Sequence, residues 1–245
     1  MNILIKFASR GREEWFKRGL VNINDTISGD NNFRILVTAD IDDPVMNNDG
    51  IRNFCNAFPN VILWYGESKS KVDAINRDMD KLNLEEKEFN WDMLINFSDD
   101  MVFIHKHWDK GMVKLIEEQF GAGQKDFFAH FNDGFVNEKL PTMSVMGRKY
   151  YERDNYIYHP TYKSVSCDAE AFFVAIMRGK HHYFNWTPFN HMHPANCPGQ
   201  INNDATYHKN DAISHEDTEN YFQRKAICFG VENPVTLPFN PTERC

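Results

Sequence analysis

The chain has 245 residues, 42% of them hydrophobic and 14% aromatic, which is enough to bury a full core in one large domain, or in one domain with a subdomain, and argues against disorder. Its net charge of −8 argues against a protein that coats nucleic acid non-specifically, because phosphate contacts need Lys and Arg in excess, and leaves room only for a local basic groove. Five widely spaced cysteines (Cys55, Cys167, Cys197, Cys228, Cys245) form no CxxC pair and are odd in number, so reduced thiols are expected rather than a disulfide framework.

The first apolar run stops at Arg10, Arg12, Glu13 and Glu14, too short for a signal or a membrane span, and no later stretch is long enough either; the expectation is a cytoplasmic protein. Positions 2–8 and 33–40 read as strands, each followed by a polar turn and a segment of helical spacing. The rhythm continues with a strand over 61–65, a helix over 70–82 and a strand over 92–97 that ends in Ser98-Asp99-Asp100. Such alternation predicts an α/β fold with a mostly parallel central sheet flanked by helices. From about Lys139 the pattern loosens, through 142–146, a Tyr-rich stretch over 150–162 and a helix over 168–179, to His191-Met192-His193-Pro194 and a last helix over 216–229. With no repeat or linker, the chain is read as one domain, with a nucleotide-binding half over about 1–138 and a less regular acceptor-side half over about 139–245.

In open α/β sheets the ligand crevice lies beyond the carboxyl ends of the strands. Here those ends carry Ser9-Arg10-Gly11-Arg12, Asp40-Ile41-Asp42-Asp43, Gly66-Glu67-Ser68-Lys69 and Asp99-Asp100. Adjacent carboxylates at a strand end offer hard oxygen ligands to Mg²⁺ or Mn²⁺, and a cation there would neutralise the charge that builds on a diphosphate leaving group. An Asp-Asp pair also serves as a turn or helix cap, and Asn132-Asp133-Gly134 also reads as an ordinary tight turn.

In the order of these pieces the chain resembles the GT-A-fold glycosyltransferases, particularly the inverting family-2-like group. The resemblance runs through Phe7-Ala8-Ser9-Arg10-Gly11-Arg12, Ala39-Asp40, the stretch from Gly66 to Arg77, Phe97-Ser98-Asp99-Asp100-Met101 with Trp108-Asp109, Asn132-Asp133-Gly134, Cys167-Asp168-Ala169-Glu170 and His191-Met192-His193-Pro194. It implies a GT-A-like, Rossmann-type sheet and an enzyme that moves a sugar from a nucleotide-diphosphate donor, a UDP-sugar being favoured, to an acceptor hydroxyl with inversion. By the same resemblance Ala8, Ser9, Arg10 and Asp40 hold the nucleotide, Lys71 and Asn76 sit near it, and Asp99 lies against the ribose or sugar. Asp100 then binds the metal, with His191 or His193 as a further ligand; an imidazole ligand favours Mn²⁺ over Mg²⁺. Ser98 stands where the family's Asp-x-Asp pattern has its first Asp, which leaves the division between Asp99 and Asp100 open.

Inversion needs a base to take the acceptor proton, and Asp168 or Glu170 is the candidate. The resemblance aligns Asp168 with the base position, although Cys167 replaces the family's Glu. Asp133 is read as a carboxylate that holds acceptor or donor hydroxyls. The acceptor class is open among glycan, protein, metabolite and modified nucleobase. Two other readings compete: a zinc hydrolase or structural zinc site from His191, His193 and Cys197 with Asp204 or His208, and an inactive nucleotide-sugar-binding protein.

Overall fold

The computed structural model describes residues 1–83, 89–194, 196 and 205–240. In chain order the elements are β1 (Asn2–Ser9), α1 (Glu13–Thr26), β2 (Asn32–Asp40), α2 (Asp49–Asn56), β3 (Val61–Gly66), α3 (Lys71–Asn76), β4 (Met93–Phe97), β5 (Met101–Phe103), α4 (Trp108–Phe120), β6 (Phe128–Phe131), β7 (Val145–Gly147), α5 (Arg148–Tyr151), α6 (Cys167–Met177), β8 (His181–Phe184), β9 (Phe189–His191) and α7 (Ala205–Ala226). Seven strands form one sheet in the order β3-β2-β1-β4-β7-β6-β8, and β5 pairs with β9 in a separate ribbon. β1 to β4 run parallel, while β7 is antiparallel to both of its neighbours. The expected mostly parallel sheet is present, and its second half is built from both sides of position 139.

The central strand β1 is buried on both faces, as parallel strands under helices are. Ile3, Ile5 and Phe7 join one core with Phe16, Leu20 and Ile23 of α1 and Met112 and Ile116 of α4. Leu4 joins the other with Val72 and Ile75 of α3, Tyr150 of α5 and Ala175 of α6. Trp108 stacks on Phe103 with ring centroids 3.8 Å apart, and Asp109 is buried where its carboxylate accepts from Ser28 and Asn31, so this pair anchors α4.

Two helices differ from their sequence expectation. The segment expected to be helical over 70–82 breaks after Asn76: Arg77 is extended and Asp78 takes a left-handed φ of 71°, before a 3₁₀ turn over Met79–Asn83. The break buries the Asp78 carboxylate, which accepts from Thr38 and Lys81. Lys6, fully buried in β1, bonds Thr38 and donates to the Arg77 carbonyl at 2.9 Å, and burial lowers its pKa to about 7. The last helix starts earlier than expected and stops at Ala226, with a 3₁₀ turn at Cys228–Gly230.

Between β6 and β8, His130 Nδ1 and His181 Nε2 lie 2.9 Å apart, and burial lowers their pKa values to about 4 and about 3. Both folded values lie below the unfolded one, so the unfolded chain takes up protons first as pH falls, and the contribution to stability present at neutral pH is lost on acidification. Melting temperature should therefore fall as pH drops from about 7 through the folded values of about 4 and about 3, and His130→Phe should flatten that fall. Equal slopes in the two proteins would show that the pair does not titrate as the fold requires.

Candidate active site

The parallel strands β1, β2, β3 and β4 bring Ser9, Asp40, Gly66 and the Ser98–Asp100 turn to one edge of the sheet. Asp99 and Asp100 are 5% and 4% exposed, adjacent carboxylates that water cannot screen. Asp99 accepts from Ser9 Oγ at 2.8 Å and from Arg12 at 3.0 Å, and Arg12 lies 4.0 Å from Asp100. Gly11, at φ 69°, makes the turn between Ser9 and Arg12. Burial and the neighbouring charge raise the Asp99 pKa to about 6, with Arg12 and Ser9 opposing the shift. Burial also works against ionisation of Asp100, but His191, Ser98 and Lys71 outweigh it and hold its pKa far below the usual carboxylate range.

The histidine reaches Asp100 through the β5–β9 ribbon, whose register sets Met101 opposite His191. Met192 N donates to the Asp100 carbonyl at 2.7 Å, and His191 Nε2 stands 3.5 Å from Asp100 Oδ2. On its other edge His191 Nδ1 is buried without a hydrogen bond among the described residues, 4.0 Å from Asp133. His193 is half-buried, with its ring centroid 5.6 Å from that of His191, and burial lowers its pKa.

Among the described residues no group of three His, Cys, Asp or Glu side chains stands ready to hold a metal ion. Asp100 and His191 nevertheless fit as two ligands of an open site. Their facing atoms, 3.5 Å apart, are a carboxylate oxygen and an imidazole nitrogen, the donor types that Mn²⁺ takes. Cys197 and Asp204 lie outside the described residues, as does the side chain of His208.

Lys71 opens α3 behind the Ser70 cap, and its charge acts on both Asp100 and Asp168. Asp168 is the second residue of α6, half-buried, with Ala169 N donating to it at 2.9 Å; burial raises its pKa, against Lys71 and His191. Ala8 lies one residue before Ser9 and is partly buried against the α3 side of the sheet.

Other expected site residues are occupied within the protein. Glu170 is buried, gripped by Arg224 through two 2.6 Å bonds and by Tyr162 at 2.8 Å. Asn76 bonds the backbone of Ile157 and Tyr158. Asp133 accepts from the amides of Phe135, Val136 and Asn137 and from Thr142, which is the work of a loop-forming Asx residue. Arg10 bonds Asp40 at 2.7 Å and forks onto Asp42, while Asp40 Oδ1 is buried without a hydrogen bond among the described residues.

Two arginines escape the sequence reading, Arg12 and Arg77. Arg77 donates to the Ala39 carbonyl at 2.6 Å and to Ser68, and lies 3.6 Å from Asp40. Its guanidinium rests on Gly66, where an added Cβ would come within 2.1 Å of it. The visible signal for Arg12 was the second arginine of a charged strand end.

No family model and no curated protein matches the sequence. Solved structures do. A mannosyltransferase from Pyrobaculum calidifontis, in complex with GDP-Man and Mn²⁺, aligns at TM-score 0.63 and 12% identity over 95% of this chain and 65% of its own. S. aureus TarS 1–349 in complex with UDP-GlcNAc aligns at TM-score 0.61 and 12% identity over 93% of this chain and 65% of its own. The fold is GT-A. The chain spans about two thirds of the length of these two GT-A structures. No helix among its described residues is long and apolar enough to cross a membrane.

In this GT-A site Arg12 is the counter-charge of a buried acidic pair, 8% exposed itself. Arg12→Met should cost about 3–5 kcal/mol, because it strands buried negative charge. Adding Asp99→Asn should recover most of the loss in denaturant unfolding. Additive losses in the double variant would show that the two side chains do not compensate each other.

Proposed function

We propose that the protein is a metal-dependent glycosyltransferase that moves a sugar from a nucleotide-diphosphate donor to an acceptor hydroxyl with inversion. The observation that carries this reading is the convergence, at the carboxyl edge of a GT-A sheet, of Asp100 with His191 and of Lys71 with Asp168. Asp100 and His191 would hold Mn²⁺, which would neutralise charge on the departing diphosphate. Asp99, tied to Ser9 and Arg12, fixes the turn that aims Asp100. Lys71 adds positive charge where the diphosphate leaves. Asp168 takes the acceptor proton; burial, which raises its pKa, makes it a better base than an exposed carboxylate. Glu170 is left out of this role by its bonds to Arg224 and Tyr162.

Asp40, at the carboxyl end of β2 between Arg10 and Arg77, is the residue proposed to meet the nucleotide. A UDP-sugar is the donor proposed. UDP and UDP-GlcNAc occupy the TarS structures, and GDP-Man the archaeal one.

UDP should stabilise the protein only with Mn²⁺ or Mg²⁺ present, by about 2.7 kcal/mol at a hundred times its Kd. Equal stabilisation in excess chelator would remove the metal from the site. Asp100→Asn and His191→Ala should each abolish the metal-dependent part, while His193→Ala should leave most of it. For the base, Asp168→Asn should bind UDP and Mn²⁺ as the parent does yet release UDP from a UDP-sugar roughly 10²-fold more slowly. Undiminished turnover in that variant would pass the role to another group.

A further inference from the structure

The loop that leads into α6 is held by α7 in a way that packing alone does not require. Asp217 is 2% exposed, and its two carboxylate oxygens accept from the consecutive backbone amides of Lys163, Ser164 and Val165 at 2.8, 2.6 and 2.8 Å. Successive amides turned toward one point form a concavity for an anion, and here a side chain of the same chain fills it. Asn220, three residues on, donates to Thr161 Oγ1 at 3.0 Å. Arg224, seven residues on from Asp217, forks onto Glu170. Spacings of three and seven put these residues on one stripe of the helix. That stripe grips the 161–170 segment at its start, its middle and its end.

Between the grips sits a strained residue. Ser166 is left-handed at φ 63°, ψ −8°, and caps α6 without a side-chain hydrogen bond. A non-glycine residue in that region costs free energy and persists only where its surroundings over-determine it. Two residues later comes Asp168. The same loop reaches the donor side, since Val72 N of α3 donates to the Lys163 carbonyl at 3.1 Å, next to Lys71.

We propose that Asp217 and Arg224 are positioning residues for the transfer step, clamping the 161–170 elbow so that Asp168 faces the acceptor. The role rests on the reading of Asp168 as the base. Neither residue touches substrate; each acts through the backbone or through Glu170. A displacement of about 1 Å at a catalytic group is enough to cost roughly 10²-fold in rate, so a loosened elbow would show in turnover before it shows in binding.

The test uses the full chain with UDP and Mn²⁺ as the binding probe and release of UDP from a UDP-sugar as turnover. Asp217→Asn keeps the shape and removes the charge that gathers the three amides. Expected is a fall of roughly 10- to 100-fold in kcat, with the Kd for UDP within about twofold of the parent. Arg224→Lys keeps the charge but not the fork, should act in the same direction with a smaller fall, and serves where Asp217→Asn does not fold. Parental kcat in the folded variants, or a loss of UDP affinity as large as the loss of kcat, would overturn the positioning role. Asp168→Asn, measured alongside, separates the two ideas. Full turnover in Asp168→Asn overturns the reading of the base and the clamp with it, whereas an inactive Asp168→Asn beside fully active α7 variants overturns the clamp alone.

Discussion

Two carboxylates, Asp99 and Asp100, lie next to each other under almost complete burial at the end of β4, and the surrounding architecture is arranged around that repulsion. An uncompensated buried charge costs several kcal/mol, so each needs a partner supplied from elsewhere in the chain. Arg12 arrives from the first strand end and His191 from the far side of the ribbon. The pair thus ties β1, β4 and the β5–β9 ribbon into one electrostatic unit, in which one carboxyl has its pKa raised while the other is driven fully ionised. Of the two, Asp99 is held by Ser9 and Arg12, while Asp100 faces His191.

The ribbon links the acidic pair to a distant part of the chain. β5 begins immediately after the turn that carries the two aspartates, and its pairing with β9 brings His191 to Asp100. The ribbon register sets Met101 opposite His191, which puts its Nε2 3.5 Å from Asp100. The ring nitrogen of His191 that faces Asp133 has no hydrogen bond among the described residues, so the imidazole is oriented by the ribbon and by Asp100 on its other edge.

Local pattern made much of this legible. The four parallel strands stand within about two residues of their sequence expectation, and in β1, β2 and β4 burial on both faces makes the run apolar almost throughout. The strand-end position of Asp99 and Asp100 followed from the same reading. What stayed hidden depends on contacts distant in sequence. Apolar spacing over 70–82 looks helical, yet buried Asp78 takes a left-handed backbone to meet Thr38 and Lys81. The 3.5 Å approach of His191 to Asp100 depends on a ribbon register, and the grip on Glu170 depends on Arg224, which arrives from the last helix. Asn76 and Asp133 carry bonds that no local pattern announces: Asn76 joins the backbone of Ile157 and Tyr158, and Asp133 accepts from three amides and from Thr142.

The contact between Arg77 and Gly66 has a consequence for how such a sequence can drift. A Cβ at position 66 would stand 2.1 Å from the end of the Arg77 side chain, so any residue there has to push the guanidinium aside. Arg77 is bound to the Ala39 carbonyl and to Ser68, and lies against Asp40. A side chain at 66 therefore costs those contacts as long as 77 is arginine, and costs less once 77 is smaller. Drift at either position changes what the other tolerates.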